Sequence, residues 1–151
     1  MSEPDVKRAS AVIVLGPQAK DEVVEHTRRV LNHFGIHFKE VDWCGLPDLL
    51  AGDASGFGVI VFATGVLYTD EHIRLPEALN VPVIRVVTDS APPTAQIVTG
   101  TELVATAGLG VTGAVNAGLQ AARILALSDT VLRDLLKTKP FDEPPAAADG
   151  E

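Results

Sequence analysis

Five short stretches divide the chain, apolar except for the mixed second one: Ala11–Leu15, Ile36–Val41, Val59–Ala63, Val81–Val87 and Leu103–Ala107. Each is of strand length, and the first is closed by Gly16-Pro17. A continuous run with no polar alternation is the pattern of a strand buried on both faces. Between the first two runs, Val23, Val24, Thr27, Val30, Leu31 and Phe34 recur at helical spacing, with Gly35 as the stop. A short helix through Leu49-Leu50, cut by Gly52 and Gly56, a helix over part of Glu71–Leu79 and a helical turn near Gln96 are expected in the later connections. Strand and helix alternate throughout, so the fold class predicted is α/β: a three-layer, doubly wound parallel sheet with right-handed crossovers.

The last third of the domain reads differently. From Gly108 to Leu127 the chain is mostly glycine, alanine and leucine, with Arg123 its one charge. A surface helix keeps a polar face, and this one shows little of it. Ala114, Ala117, Gly118, Ala121 and Ala122 would let another backbone approach closely. Packing on its own sheet accounts for one apolar face; burial of the whole circumference points to a neighbouring subunit, and is the expectation preferred. Gly108-Leu-Gly-Val-Thr-Gly113 also spells G-x-G-x-x-G between a strand and a helix. A dinucleotide fingerprint needs a second strand ending in an acid about 20 residues later. Here Ser128–Lys137 follows, a capped helix, so no nucleotide cofactor is inferred.

Composition narrows the function classes. The 151 residues make one domain: residues 1–8 a disordered start, 9–138 the α/β body, and 139–151 an acidic, Pro- and Ala-rich tail, disordered or draped over a neighbour. Twelve basic against twenty acidic residues give a net charge of -8, which argues against nucleic acid and anionic membranes as partners. No apolar run reaches the roughly 18 residues of a membrane span, and the polar N-terminus is no secretory leader. The single cysteine fits a cytoplasmic protein. His26, His33 and His37 fall near the first helix, but no carboxylate completes a metal spacing, so they are read as surface residues and no metal is assigned.

In a parallel sheet, ligands sit outside the carboxyl ends of the strands. That rule selects Gly16–Asp21, Asp42–Gly45, Thr64–His72, Thr88–Ser90 and Gly108–Gly113 as the candidate small-molecule site. Within these stretches Lys20, Asp21, Asp42, Cys44, Tyr68, Thr69, Asp70, His72, Asp89 and Ser90 have side chains able to do chemistry. They contain no Ser-His-Asp spacing, Walker sequence or Cys-x-x-Cys.

Asn116-Ala-Gly-Leu-Gln-Ala-Ala-Arg-Ile-Leu-Ala-Leu-Ser-Asp129 resembles the closing helix of the aminoimidazole ribonucleotide carboxylase / carboxyaminoimidazole ribonucleotide mutase family of purine synthesis. Ala11–Gly16, Leu31–Val41, Val59-Ile-Val61 and Val81-Pro-Val83 follow that family's strands in order. The resemblance implies a flavodoxin-like domain assembled as a homo-octamer, with the closing helix reaching a neighbour.

Its site motifs are largely replaced. The family's Gly-Ser-x-Ser-Asp loop is Gly16-Pro17-Gln18-Ala19-Lys20-Asp21 here, and Pro17 has neither hydroxyl nor N–H for a phosphate. Its Ser-Ala-His-Arg-Thr-Pro-Asp loop becomes Asp42-Trp43-Cys44-Gly45-Leu46-Pro47-Asp48, so Cys44 stands for the catalytic histidine, Gly45 for the phosphate-binding arginine, and Asp42 brings an opposing charge. Its third loop of small residues becomes Ala63–Asp70, keeping Gly65 and adding Tyr68 and Thr69.

The site expected from resemblance and strand ends together is Cys44 as catalytic residue, with Gly16, Gln18, Lys20, Asp21, Asp42, Gly65, Tyr68, Thr69 and Ser90 around a ligand. Three functions follow. One is a diverged carboxylase- or mutase-type enzyme (a lyase or isomerase) acting on a small molecule other than the usual ribonucleotide. Another is an inactive oligomeric paralogue with a binding or regulatory role. The third is the purine activity itself with a rebuilt site. The thiol could carry a proton only with a pKa near the working pH, and Asp42 would raise it; the alternative for Cys44 is a buried residue packed beside Trp43.

Overall fold

The computed structural model describes residues 10–16, 18–45, 57–65, 81–88 and 104–141. They form β1 (Ser10–Leu15), α1 (Asp21–His33), β2 (His37–Asp42), a 3-10 turn (Trp43–Gly45), β3 (Phe57–Thr64), β4 (Val83–Val87), β5 (Val104–Leu109), α2 (Gly110–Leu125) and α3 (Thr130–Thr138). The strands make one sheet in the order β2-β1-β3-β4-β5, every neighbouring pair parallel. This is the flavodoxin-like strand order of a doubly wound α/β fold, as the alternating pattern predicts. The short helix at Leu49-Leu50, the helix over Glu71–Leu79, the turn near Gln96, the first eight residues and the tail beyond Phe141 lie outside the described residues.

The apolar runs become strands because both their faces are covered. In β1, Ala11 and Ile13 enter one core cluster and Val12 and Val14 the other, all four fully buried. β2 is the edge strand, and His37, Lys39, Glu40 and Asp42 stand exposed on it, charges that blunt pairing with another sheet. α1 ends where its periodicity does: Gly35 has φ +68°, and its N–H and that of Ile36 cap the carbonyls of Asn32 and Leu31.

The first face of the sheet is covered by α1 and α2 lying side by side. Ala114, Ala117, Gly118, Ala121 and Ala122 are all buried inside the one chain. A Cβ on Gly118 would lie 2.7 Å from Val30 Cβ, and Thr27 Oγ1 donates to the Ala114 carbonyl at 2.7 Å. The small residues therefore admit α1 of the same chain, which corrects the expectation that they receive a neighbouring subunit. The helix also has a polar stripe: Thr112, Asn116 and Arg123 are exposed and Gln120 half-buried, on one face at intervals of three and four. The stripe is thin, and between alanines it does not stand out in the sequence.

β5 runs on to Leu109, two residues further than its apolar run suggests, and α2 begins at Gly110 with φ +58°. Gly108 is a strand residue paired with Val86, so the G-x-G-x-x-G stretch forms no open loop. α3 is capped by Asp129, whose carboxylate accepts from the Leu132 N–H at 3.0 Å. The first tail residues return to α1: Phe141 packs edge-on to His33, and His33 Nε2 lies 3.0 Å from the Lys139 carbonyl. As far as Phe141 the tail is ordered against α1 of its own chain.

Candidate functional site

Because all strands run the same way, Gly16, Asp42, Thr64, Thr88 and Leu109 reach the same edge of the sheet. β1 has β2 on one side and β3 on the other, which makes the β1/β3 boundary the topological switch point, where such sheets take ligands. The first loop closes tightly over it. Gly16 donates its N–H to the Ala63 carbonyl at 2.7 Å, and a Cβ there would meet Phe62 Cε1 at 2.5 Å and Thr64 Cγ2 at 2.7 Å. Gln18 holds a positive φ of 60°, unusual without glycine, and its backbone comes so near Gly65 that a Cβ on the latter would lie 2.7 Å from the Gln18 carbonyl oxygen. Gly16 and Gly65 thus join the first and third loops by close backbone approach.

Lys20 is exposed and forms the N-cap of α1 without a side-chain cap. Its N–H donates to Thr88 Oγ1 at 3.0 Å, and that hydroxyl donates to the Thr64 carbonyl at 3.3 Å. One buried threonine therefore ties the start of α1 to the ends of β3 and β4. Thr64 is fully buried as well, and its Oγ1 has no hydrogen-bond partner among the described residues.

The two acids are engaged elsewhere. Asp21 binds Arg28 at 2.5 Å, along α1. Arg28 also holds Glu40 at 2.6 Å and Glu25 at 3.1 Å, so three carboxylates share one guanidinium where α1 crosses β2. The hydrogen bond and charge of Arg28 hold the Asp21 carboxyl below its ordinary value. Contacts with Glu40 and then Asp21 push the Arg28 guanidinium further up. Asp42 accepts the Cys44 N–H at 3.0 Å and so closes the 3-10 turn, an Asx-type role.

Cys44 is exposed, which corrects the alternative of a packed cysteine; Trp43 beside it is half-buried and lies against the second-face cluster. Desolvation, and then the charge of Asp42 and its hydrogen bond, raise the thiol above the ordinary cysteine value. At neutral pH it is a poor thiolate source and a weak proton acceptor.

Of the sequence-derived site, the structure brings Gly16, Gln18, Lys20 and Gly65 together at the switch point. It sets Asp21, Asp42 and Cys44 apart on the β2 side, while Tyr68, Thr69 and Ser90 lie outside the described residues. The unpartnered hydroxyl of Thr64, the Thr88 bridge, the Arg28 cluster and buried Arg85 were not singled out by sequence. The signal for Arg85 is a charge inside the apolar run Val81–Val87; that for Arg28 is its helical spacing from Asp21 and Glu25. Among the described residues, no group of three His, Cys, Asp or Glu side chains is placed to hold a metal ion, and no helix is long and apolar enough to cross a membrane.

No protein-family model matches the chain, and no curated protein does. Among solved structures it is similar to part of the lysine decarboxylase LdcF of Francisella novicida, with a TM-score of 0.44 and 14% identity over 95% of this chain. The chain spans 22% of the length of that enzyme.

Proposed function

We propose that this chain is a diverged relative of the aminoimidazole ribonucleotide carboxylase / mutase family that binds a small, non-phosphorylated molecule at the carboxyl edge of its sheet and does no thiol chemistry there. The observation that carries the binding reading is the switch point itself, where Gln18 meets Gly65 and Gly16 meets Thr64 beside a buried hydroxyl with no partner among the described residues. The closing-helix resemblance supports the family. Pro17, Asp42 and Gly45 at the positions where that family holds a phosphate support a different ligand. The raised thiol of Cys44 favours binding over catalysis. A cytoplasmic homo-oligomer goes with the family reading, and Leu127 and Val131, 77% and 62% exposed, are the large apolar side chains it would cover.

A thermal-shift screen with ribonucleotides, nucleosides and small carboxylic acids tests the ligand class. A ligand at a hundredfold excess over its dissociation constant stabilises by about 2.7 kcal/mol. Stabilisation by a phosphate-free compound is expected. Micromolar affinity for aminoimidazole ribonucleotide or its carboxylated forms overturns the reading. Light scattering showing a monomer at micromolar concentration overturns the assembly.

A further inference from the structure

On the second face of the sheet the described strand residues include an apolar cluster. Val12, Val14, Ile60, Phe62 and Val83 form its buried cluster, and Val41, Trp43, Phe57 and Val81 pack around them. Among the described residues, alternation along the strands places two buried polar side chains on this face, Thr64 two residues beyond Phe62 and Arg85 two beyond Val83. Arg85 is 8% exposed and Thr64 0%. Phe62 is the register partner of Arg85 and Val87 that of Thr64, so the two polar residues are diagonal neighbours. Diagonal neighbours on one face of adjacent strands lie within reach of a long side chain.

The Thr64 hydroxyl is costly where it stands. A buried hydroxyl without a partner costs about 1–3 kcal/mol, and valine would fill the same volume without that penalty. Arginine is seldom buried in a sheet unless something uses its charge. Arg85 is engaged within the chain, but a guanidinium has five N–H donors and can serve an intramolecular partner and a ligand together. Thr64 closes β3 beside the switch point, and Arg85 lies one strand over, at the middle of β4.

We propose that Arg85 and Thr64 bind the carboxylate of that small molecule, Arg85 through paired N–H donors and Thr64 through its hydroxyl. This rests on the reading of the carboxyl edge as a ligand site, and it names the ligand's class. A carboxylate suits the pair better than a phosphate, because a chain of net charge -8 opposes a dianion more than a monoanion. The planar fork of arginine matches the two oxygens of a carboxylate.

The experiment is a titration of the full chain with acetate, glycolate, pyruvate and succinate, with phosphate and nucleosides alongside at matched ionic strength, read by backbone amide NMR. At least one carboxylate should saturate, with its largest shifts at Thr64, Arg85 and Val87. Thr64→Val should weaken it by roughly tenfold or more, Thr64→Ser should retain it, and Arg85→Lys should lose a similar factor by losing the fork. Arg85→Gln should abolish it; should that variant fail to fold, the two Thr64 variants and Arg85→Lys decide the matter. A nucleoside that saturates equally in wild type and Thr64→Val leaves the edge a ligand site and overturns the carboxylate assignment. Saturation by a carboxylate with equal affinity in all variants overturns it too. If no compound binds wild type, both readings fall together.

Discussion

Two buried threonines on opposite sides of the sheet carry their hydroxyls in opposite circumstances. Thr27, 1% exposed on α1, donates to the Ala114 carbonyl at 2.7 Å and helps lock α1 to α2. Thr64, 0% exposed at the end of β3, has an Oγ1 with no partner among the described residues. The first side behaves as pure structure: small residues, close helix approach and every polar group named there satisfied. The second side combines an apolar cluster with a buried cation and a costly hydroxyl. Folding alone rewards the first arrangement and penalises the second. A residue retained against that penalty marks where the fold serves something besides itself.

The contrast can be broken most strongly at Gly118. Gly118→Val adds a Cβ 2.7 Å from that of Val30, in a helix pair with no slack. Overpacking of this kind costs about 3 kcal/mol, and urea denaturation should show a lower midpoint with an unchanged slope. A variant as stable as wild type would mean that α1 and α2 are not in contact in solution.

The same substitution at the two threonines should then give opposite signs. Thr27→Val removes a satisfied buried hydrogen bond and should destabilise by about 1–2 kcal/mol. Thr64→Val removes an unsatisfied one and should stabilise the ligand-free chain by about 1 kcal/mol. Equal losses in the two variants, measured by urea denaturation, would mean that Thr64 is also satisfied and that the two sides do not differ.

Much of this division is legible in the sequence, and its limits are physical. β1, β3 and β4 are read correctly because continuous runs such as Ala11–Val14 are buried on both faces and resemble little else. Gly35 marks a helix end by local geometry alone, and the last helix reads as capped at its start, where the structure places Asp129. The surroundings of α2 are misread because Thr112, Asn116, Gln120 and Arg123 make a stripe one residue wide, and because small residues record close approach without naming which backbone approaches. The site is harder still. Asp21 belongs to the loop by position but to Arg28 by contact, seven residues on. Thr64 and Arg85 sit in runs whose period announces burial and says nothing of polar partners. Hydrogen-bond satisfaction is a tertiary property, and periodicity does not carry it.

At the β2 edge, away from both threonines, Cys44 offers a smaller effect. Its raised thiol should react with iodoacetamide more slowly than a free cysteine at neutral pH, and faster as pH rises. Asp42→Asn removes the charge that adds to desolvation in holding the thiol up, and should speed the reaction. A rate above that of a free thiol would return Cys44 to consideration as a catalytic group.

The smallest effect concerns Asp21 and serves as a control on the comparison. Its carboxyl, beside Arg28, titrates below the ordinary aspartate value because hydrogen bond and charge both favour the ionised form. A depressed folded-state pKa contributes stability that is present above the unfolded pKa and is lost as pH falls through the folded one. The loss therefore lies on the acid side of the normal aspartate range, and because Asp21 is exposed, solvent screening keeps it small. Arg28→Gln should return Asp21 toward the ordinary value in a carbon-detected NMR titration and leave the Thr27→Val and Thr64→Val differences unchanged. Additivity is the expectation for sites without shared partners. If Arg28→Gln instead altered the Thr64→Val difference, the β2 edge and the second face would be one coupled network, and the unsatisfied hydroxyl would have to be explained from Arg28 outward.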